Sequence, residues 1–246
     1  MLELREIKVW NLKCHPETLA TLADHVEQRL KAGDKGLHLT GINPEQIVKA
    51  QSDKKLAEAI NSSNVVNIDG ILAVIALRLK GYKVPERVAS PDLMMRLLEL
   101  ADCNKQRVYL LGAEEYVIKK VVEVLVRKYP GLTICGWHNG FYEDEKAIVN
   151  EIEAAKPDYL FIALPSPRKE TFILNYKARL NVGVFYGIGG AFDTIGGKCH
   201  RAPLLFQKIH LEWLWRICQN PKQNGMRVLK FYPAFLKMIC KPNQKE

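Results

Sequence analysis

Asp69 and Gly70 stand in the run VVNIDGILAVIALRL, where a short apolar segment (Val65, Val66) gives way within a few residues to a helical pattern from Ile71 to Leu79. A carboxylate at a strand-to-helix turn lies at the carboxyl end of a strand, where open α/β sheets keep their clefts, and the adjacent glycine allows close approach by a ligand. Asp69 is there either a general base or the cap of the following helix; its residue type and position fit both. A second stretch, GIGGAFDTIGGKCHRAP, puts five glycines between Gly187 and Gly197 and follows them with Lys198 and Arg201. Open backbone N–H groups and two cations suit a phosphate, and a plain glycine-rich surface loop has the same composition. It is not the dinucleotide fingerprint, because Gly187-x-Gly189 leads to Phe192 where a third glycine is required.

The carboxyl-terminal stretch is basic and aromatic. From Pro203 onward there are eight Lys or Arg and only two acids, Glu212 and Glu246. Arg227, Lys230, Lys237 and Lys241 fall on one helical face, opposite Val228, Phe231, Tyr232, Phe235 and Ile239. Pro233 predicts two short helices in place of one. Cations beside aromatic residues suit anionic lipid headgroups. A solvated basic face on a packed helix and a nucleic-acid patch are the other readings of the pattern.

The elements that must position these residues alternate along the chain. Strands are expected at Leu2 to Val9, Leu37 to Gly41, Val65-Val66, Arg107 to Leu111, Leu132 to Trp137, Tyr159 to Ala163 and Val182 to Gly187. Between them, helical spacing covers Glu17 to Lys31, Glu45 to Gln51, Lys54 to Asn61, Ile71 to Leu79, Tyr116 to Tyr129, Glu143 to Ala155 and Arg168 to Ala178. Ser90-Pro91-Asp92 reads as a capping side chain before a proline at the first helical position, opening a helix from Pro91 to Cys103. Alternation with short connections implies a mainly parallel sheet covered by helices. The expected fold class is therefore α/β, a single Rossmann-like domain (residues 1–202) with a helical appendage (residues 203–246).

The composition of the 246 residues, 48% hydrophobic and 26% charged, is that of a globular protein with a real core. Six cysteines without a C-x-x-C pair read as free thiols of a reducing cytoplasm, and the amino terminus shows no apolar signal segment. No run approaches the ~18 apolar residues of a membrane span, so membrane contact is expected to be peripheral. A net charge of +9 calls for an anionic partner. The six histidines show no ligand spacing with Cys or acids, and no structural zinc is expected.

Taken together, the motifs resemble those of the WecG/TagA/CpsF glycosyltransferases of bacterial surface polysaccharide and wall teichoic acid synthesis. The resemblance spans nearly the whole chain. It rests on Asn43-Pro44, Asp69-Gly70 with RLKGYKVPERV and Asp92-Leu93, LPSPRKE (Leu164 to Glu170), GIGGAFD (Gly187 to Asp193), Arg201-Ala202-Pro203, and LEWLWR (Leu211 to Arg216) followed by Pro221. It implies transfer of N-acetylmannosamine, its uronic acid or a related hexose from a UDP-sugar to an undecaprenyl-diphosphate-linked saccharide, at the cytoplasmic face of the plasma membrane. By resemblance, Asp69 is the base of an inverting displacement. Arg87 matches the family's arginine in PERV, Arg216 and Arg227 fall in the carboxyl-terminal region whose arginines close over the donor phosphates, and Asn43 and Asp193 match positions near the nucleotide sugar; Thr40, Lys169, Gly189 and Arg201 are further candidates for substrate binding. No D-x-D metal motif is found, Glu143-Asp144-Glu145 reads as acids at a helix start, and neither a metal nor a cofactor is expected.

Four positions depart from the family pattern. Gly41 stands where a threonine is usual, with Thr40 one place earlier; Lys169 replaces a glutamine; Phe172 replaces a tryptophan; and Gln223 replaces a frequent arginine. Lys169 is either a contact to an anionic or differently hydroxylated donor sugar or a solvated lysine after a helix start. Two rival classes share part of the pattern. A nucleotide-dependent oxidoreductase or methyltransferase requires a complete glycine fingerprint, and a non-enzymatic membrane-binding module leaves Asp69 without a role. Nucleic acid is not an expected partner. Self-association is the alternative use of the apolar carboxyl-terminal helices.

Overall fold

The computed structural model describes residues 3–203, 205–206 and 211–240. A hairpin of β1 (Ile7–Val9) and β2 (Leu12–Cys14) opens the chain. It is followed by α1 (Leu19–Lys31), β3 (Leu37–Ile42), α2 (Pro44–Ala50), α3 (Lys54–Asn61), β4 (Val65–Ile68), α4 (Ile71–Leu79) and α5 (Ser90–Cys103). The second half runs β5 (Arg107–Gly112), α6 (Glu115–Lys128), β6 (Thr133–His138), α7 (Glu145–Ala155), β7 (Tyr159–Ala163), α8 (Arg168–Tyr176), β8 (Val184–Gly187) and α9 (Ala191–Ile195). The chain then continues through α10 (Glu212–Gln219), a π-helical turn (Pro221–Gly225) and α11 (Met226–Ile239).

Strands β3 to β8 form one parallel sheet in the order β4-β3-β8-β7-β5-β6. Its inner strands are apolar on both faces, as a sheet sandwiched between helices requires. Period-two alternation sorts their side chains: Leu37, Leu39, Val65, Leu110, Phe161 and Tyr186 join one core, under α1, α5 and α6. On the opposite face Ile42, Val66 and Ile68 pack with α2, α3 and α4. Leu111, Leu160, Ile162 and Phe185 pack with α7 and α8. The α/β class and the parallel sheet expected from the alternation are both present.

Strand β4 is an edge strand, and its outward groups are covered. The Val66 N–H donates to His15 Nδ1 at 2.9 Å, the His15 N–H donates to the Val66 carbonyl at 2.9 Å, and the Val88 N–H donates to the Ile68 carbonyl at 3.1 Å.

Three local expectations are corrected. The single strand from Leu2 to Val9 is a shorter strand turned back on itself at Trp10-Asn11, both at positive φ (57° and 59°), with Leu2 outside the described residues. This is the geometry of a tight two-residue hairpin turn, concealed because tryptophan occupies a position where Asn or Gly is the usual signal. Ser90 is the first residue of α5 and not its cap; its hydroxyl turns toward Asn67 instead. Pro233 does not divide the last helix, which runs unbroken from Met226 to Ile239. Pro233 and Leu229, whose carbonyl loses its N–H partner, both lie on the exposed side, where water replaces the missing bond.

Two buried histidines tie stability to pH. Burial, then the charge of Lys13, brings His15 down to about 4; burial, then nearby lysines, brings His38 to about 3. Both therefore stay neutral in the folded chain while the unfolded chain takes up protons below ~6.5, so stability falls as pH drops. Urea unfolding between about pH 6.5 and 5, above the carboxylate range, is expected to lose up to ~1.4 kcal/mol per pH unit for each histidine, and His38→Phe to halve the slope.

Candidate functional site

The carboxyl ends of β3 and β4 are locked together. Ile42 pairs with Ile68, and the N–H groups of Asp69 and Gly70 both point to the Ile42 carbonyl, at 2.9 and 3.3 Å. A Cβ on Gly70 would lie 2.7 Å from Pro44 Cδ and 3.2 Å from Asn43 Cα, so glycine is required there for close approach, its φ of −86° being ordinary. Asn43 caps α2, its Oδ1 accepting from the Gln46 N–H at 3.1 Å. Gly70, not Asp69, is the cap residue of α4, and no side chain caps that helix. The capping explanation of Asp69 is thereby removed. Its half-buried carboxylate takes no hydrogen bond or ion pair among the described residues, the condition of a base waiting for a substrate proton.

Beside this corner lies a buried polar cluster. Thr40 pairs in register with Gly187 of β8, and its Oγ1 is buried without a partner. The Lys169 stem lies over Gly187, where an added Cβ would meet Lys169 Cδ at 3.1 Å. Lys169 is 4% exposed and Glu170 1%; they form a short ion pair, and Gln46 Nε2 donates to Glu170 Oε1 at 3.1 Å. The solvated-lysine reading is therefore set aside. Glu170 Oε2, like Thr40 Oγ1, is a buried acceptor without a partner. Two such groups lie buried beside the corner with hydrogen-bonding capacity unused among the described residues, a polar floor beneath the surface of the site.

The cations of the candidate set are mostly held by acids. Arg87 pairs with Glu212 at 2.5 Å, Arg201 with Asp92 at 2.5 Å, and Arg227 with Glu45 at 2.8 Å. Arg216, exposed on α10, makes no ion pair among the described residues. Asp193, on α9, sits 3.9 Å from Lys198; burial raises its carboxyl above the ordinary range, against the pull of Lys198 and Arg216. Gly189 follows β8 at φ +56°, with open space where a Cβ would be. Asp69, Asn43 and Thr40 thus gather at the ends of β3 and β4, and Arg87 is tethered there because Val88 bonds Ile68. No hydrogen bond or ion pair joins Asp69 to Asp193, Arg201, Arg216 or Arg227 among the described residues.

The last helix packs on α2 and on the turn of the amino-terminal hairpin. Phe235 is fully buried beside Trp10, ring centroids 5.3 Å apart, and Lys49 of α2 stands 5.3 Å over the Phe231 ring. Trp213 packs on Tyr232 and Trp215 on Phe206. The apolar groups left exposed on α11 are Met226, Leu229 and Leu236, spaced along one face with Pro233. Lys241 lies outside the described residues. Sequence reasoning missed Gln46, Glu170 and Glu212, which neutralise or orient the candidate groups, and also Asn67, whose one signal was an amide inside the apolar run VVNI.

A profile of the glycosyl transferase WecG/TagA/CpsF family matches residues 7–245. The N-acetylglucosaminyldiphosphoundecaprenol N-acetyl-beta-D-mannosaminyltransferase of Bacillus spizizenii is 33% identical over 221 residues, 89% of this chain and 86% of the relative. The protein of the same name from Bacillus subtilis is 33% identical over 213 residues, 87% and 83% of the two chains. That from Staphylococcus aureus (strain MW2) is 29% identical over 209 residues, 85% and 82%.

The Lys169–Glu170 pair lends itself to a double-mutant cycle. Lys169→Met leaves Glu170 charged and buried alone and is expected to cost ~3–5 kcal/mol in chemical unfolding, most of it regained in Lys169→Met/Glu170→Gln.

Proposed function

The chain belongs to the WecG/TagA/CpsF glycosyl transferase family, and from that premise we propose that it transfers N-acetylmannosamine from its UDP derivative to an undecaprenyl-diphosphate-linked N-acetylglucosamine. The observation that carries the reading is the Asp69 carboxylate, without a hydrogen bond or ion pair among the described residues at the carboxyl edge of the sheet, with the backbone next to Arg87 bonded to the residue before Asp69. Asp69 takes the proton of the acceptor hydroxyl as its oxygen bonds the anomeric carbon, the bond from that carbon to the diphosphate breaks, and the centre inverts. The charge that appears on the departing diphosphate is met by guanidinium groups, with Arg87 and Arg216, which makes no ion pair among the described residues, the foremost, each worth ~3 kcal/mol when correctly placed. The neutral floor made by Lys169 with Glu170 favours an uncharged N-acetylhexosamine over its uronic acid, since the Lys169 ammonium is already compensated by Glu170. This reading replaces an anionic-donor role for Lys169.

No helix among the described residues is long and apolar enough to cross a membrane. We read α11 as a surface-binding element instead: Met226, Leu229 and Leu236 are exposed, and Arg227, Lys230 and Lys237 are exposed cations around them. The helix rests on α2, which Asn43 caps, so a membrane-bound appendage would stand next to the site that receives the lipid-linked acceptor. A second copy of the chain is the competing occupant of that apolar stripe.

The test is release of UDP by the full chain from UDP-N-acetylmannosamine, with a short-chain prenyl-diphosphate-N-acetylglucosamine as acceptor. Asp69→Asn is expected to lower the rate by ~10²-fold or more, and addition of EDTA to leave it unchanged. Undiminished turnover in Asp69→Asn would overturn the base, and loss of turnover in EDTA the metal-independent mechanism. In parallel, Leu229→Asp/Leu236→Asp is expected to abolish co-sedimentation with phosphatidylglycerol vesicles; retention of binding, or a change from dimer to monomer without vesicles, would move the stripe to another role.

A further inference from the structure

We propose that Asn67 is a positioning residue: with Tyr186 and Ser90 it clamps the end of β4, and so Asp69, to the segment that carries Arg87. The inference rests on the reading of Asp69 as the base and adds what sets its distance from the cation across the cleft.

Asn67 is fully buried in a strand whose other residues are Val65, Val66 and Ile68. An amide in such a place is retained only if its groups are paired, and an apolar residue would satisfy packing alone. Here both ends are used. Nδ2 donates to the Val88 carbonyl at 2.7 Å and approaches Ser90 Oγ at 3.4 Å; Oδ1 accepts from the Tyr186 hydroxyl at 3.1 Å. Val88 is thus gripped twice, since its own N–H donates to the Ile68 carbonyl at 3.1 Å. Asp69 follows Ile68 directly and Arg87 precedes Val88 directly, so the backbone between carboxylate and guanidinium is reduced to one gripped residue on each side.

The clamp has no slack. A Cβ on Gly41, in register with Asn67, would lie 2.3 Å from Ser90 Oγ and 3.0 Å from Asn67 Nδ2. This accounts for glycine at position 41, because the Ser90 hydroxyl occupies the volume of a side chain there. Tyr186 is fully buried and remains a donor at any working pH: burial pushes its hydroxyl well above the ordinary range, the Ser90 hydrogen bond pulls it back, and the Asp69 charge pushes it up again. That last influence places the network within electrostatic reach of the base. A misplacement of a reacting group by about 1 Å costs on the order of 10²-fold in rate, so the rigidity of this corner bears directly on turnover.

The experiment compares Asn67→Leu, Tyr186→Phe and Asp69→Asn with the parent chain in steady-state release of UDP from UDP-N-acetylmannosamine to the prenyl-diphosphate acceptor, across pH. Asn67→Leu, near in volume and unable to grip Val88, is expected to lower kcat about tenfold or more and to displace the acid limb of the kcat profile, with the donor KM changed by less than about threefold. Tyr186→Phe, which removes one bond and keeps the ring, is expected to lower kcat by about threefold and carries the test alone if Asn67→Leu does not fold. Parent kcat and an unmoved profile in Tyr186→Phe and in any folded Asn67→Leu, with Asp69→Asn inactive, would overturn the clamp and leave the base in place. Parent kcat in Asp69→Asn would overturn the base reading itself.

Discussion

Two backbones touch at Gly70. Nothing larger than a hydrogen fits between this residue and Pro44, and the contact fixes the start of α4 against the start of α2. Because those two starts carry Asp69 and Asn43, the contact determines how far a carboxylate and a carboxamide stand apart at the mouth of the sheet. The ladder beneath reinforces it, with successive N–H groups of Asp69 and Gly70 converging on the Ile42 carbonyl. The chemistry of the cleft therefore depends on steric closeness and backbone bonding more than on any strong charge interaction. Positions fixed in this way are pre-organised, with little reorganisation left for the moment of reaction.

Charge enters as the second layer, and it is balanced. Arg87, Arg201 and Arg227 each face a carboxylate, and the two pairs made by Arg87 and Arg227 connect the last helices to the α/β body. The Arg227–Glu45 pair leaves its guanidinium 56% exposed and contributes little to stability, so the docking of α11 depends mainly on Phe235 and its neighbours. An anionic ligand would have to displace those carboxylates to reach the same guanidinium groups. Net charge alone would have suggested a surface of free cations; the structure shows local neutrality with an excess on the outer face of α11.

Much of the architecture was legible because the strands are short, strongly apolar and separated by helices with clear spacing. The bounds of Lys54–Asn61, Ile71–Leu79 and Tyr159–Ala163 follow from periodicity alone. The misjudged places are those where tertiary contacts override local chemistry. Pro233 survives inside a helix because its exposed side tolerates the missing bond; Trp10 accepts a left-handed turn because its ring packs on Phe235. Ser90 has the composition of a cap and the job of a filler beside Gly41. Within the site, Asp69 was visible from its position at a turn. Asn67, Gln46 and Glu170 were not, since a single amide or carboxylate inside an element shows its partners only after the strands are ordered, and Lys169 could not be told from a surface lysine until its burial was known.

The strand that leads into the candidate base is also one of the two edge strands of the sheet. Unpaired edges invite the edges of other molecules, and proteins guard them with bulges, charges or covering loops. Here the guard is His15 on Val66 and Val88 on Ile68, two single-residue covers from segments distant in sequence. One of them titrates and the other adjoins Arg87. Anything that pulls either segment away exposes a row of apolar, hydrogen-bonding backbone of the kind that seeds intermolecular sheets, so the corner that holds Asp69 also covers one of the two edges of the sheet.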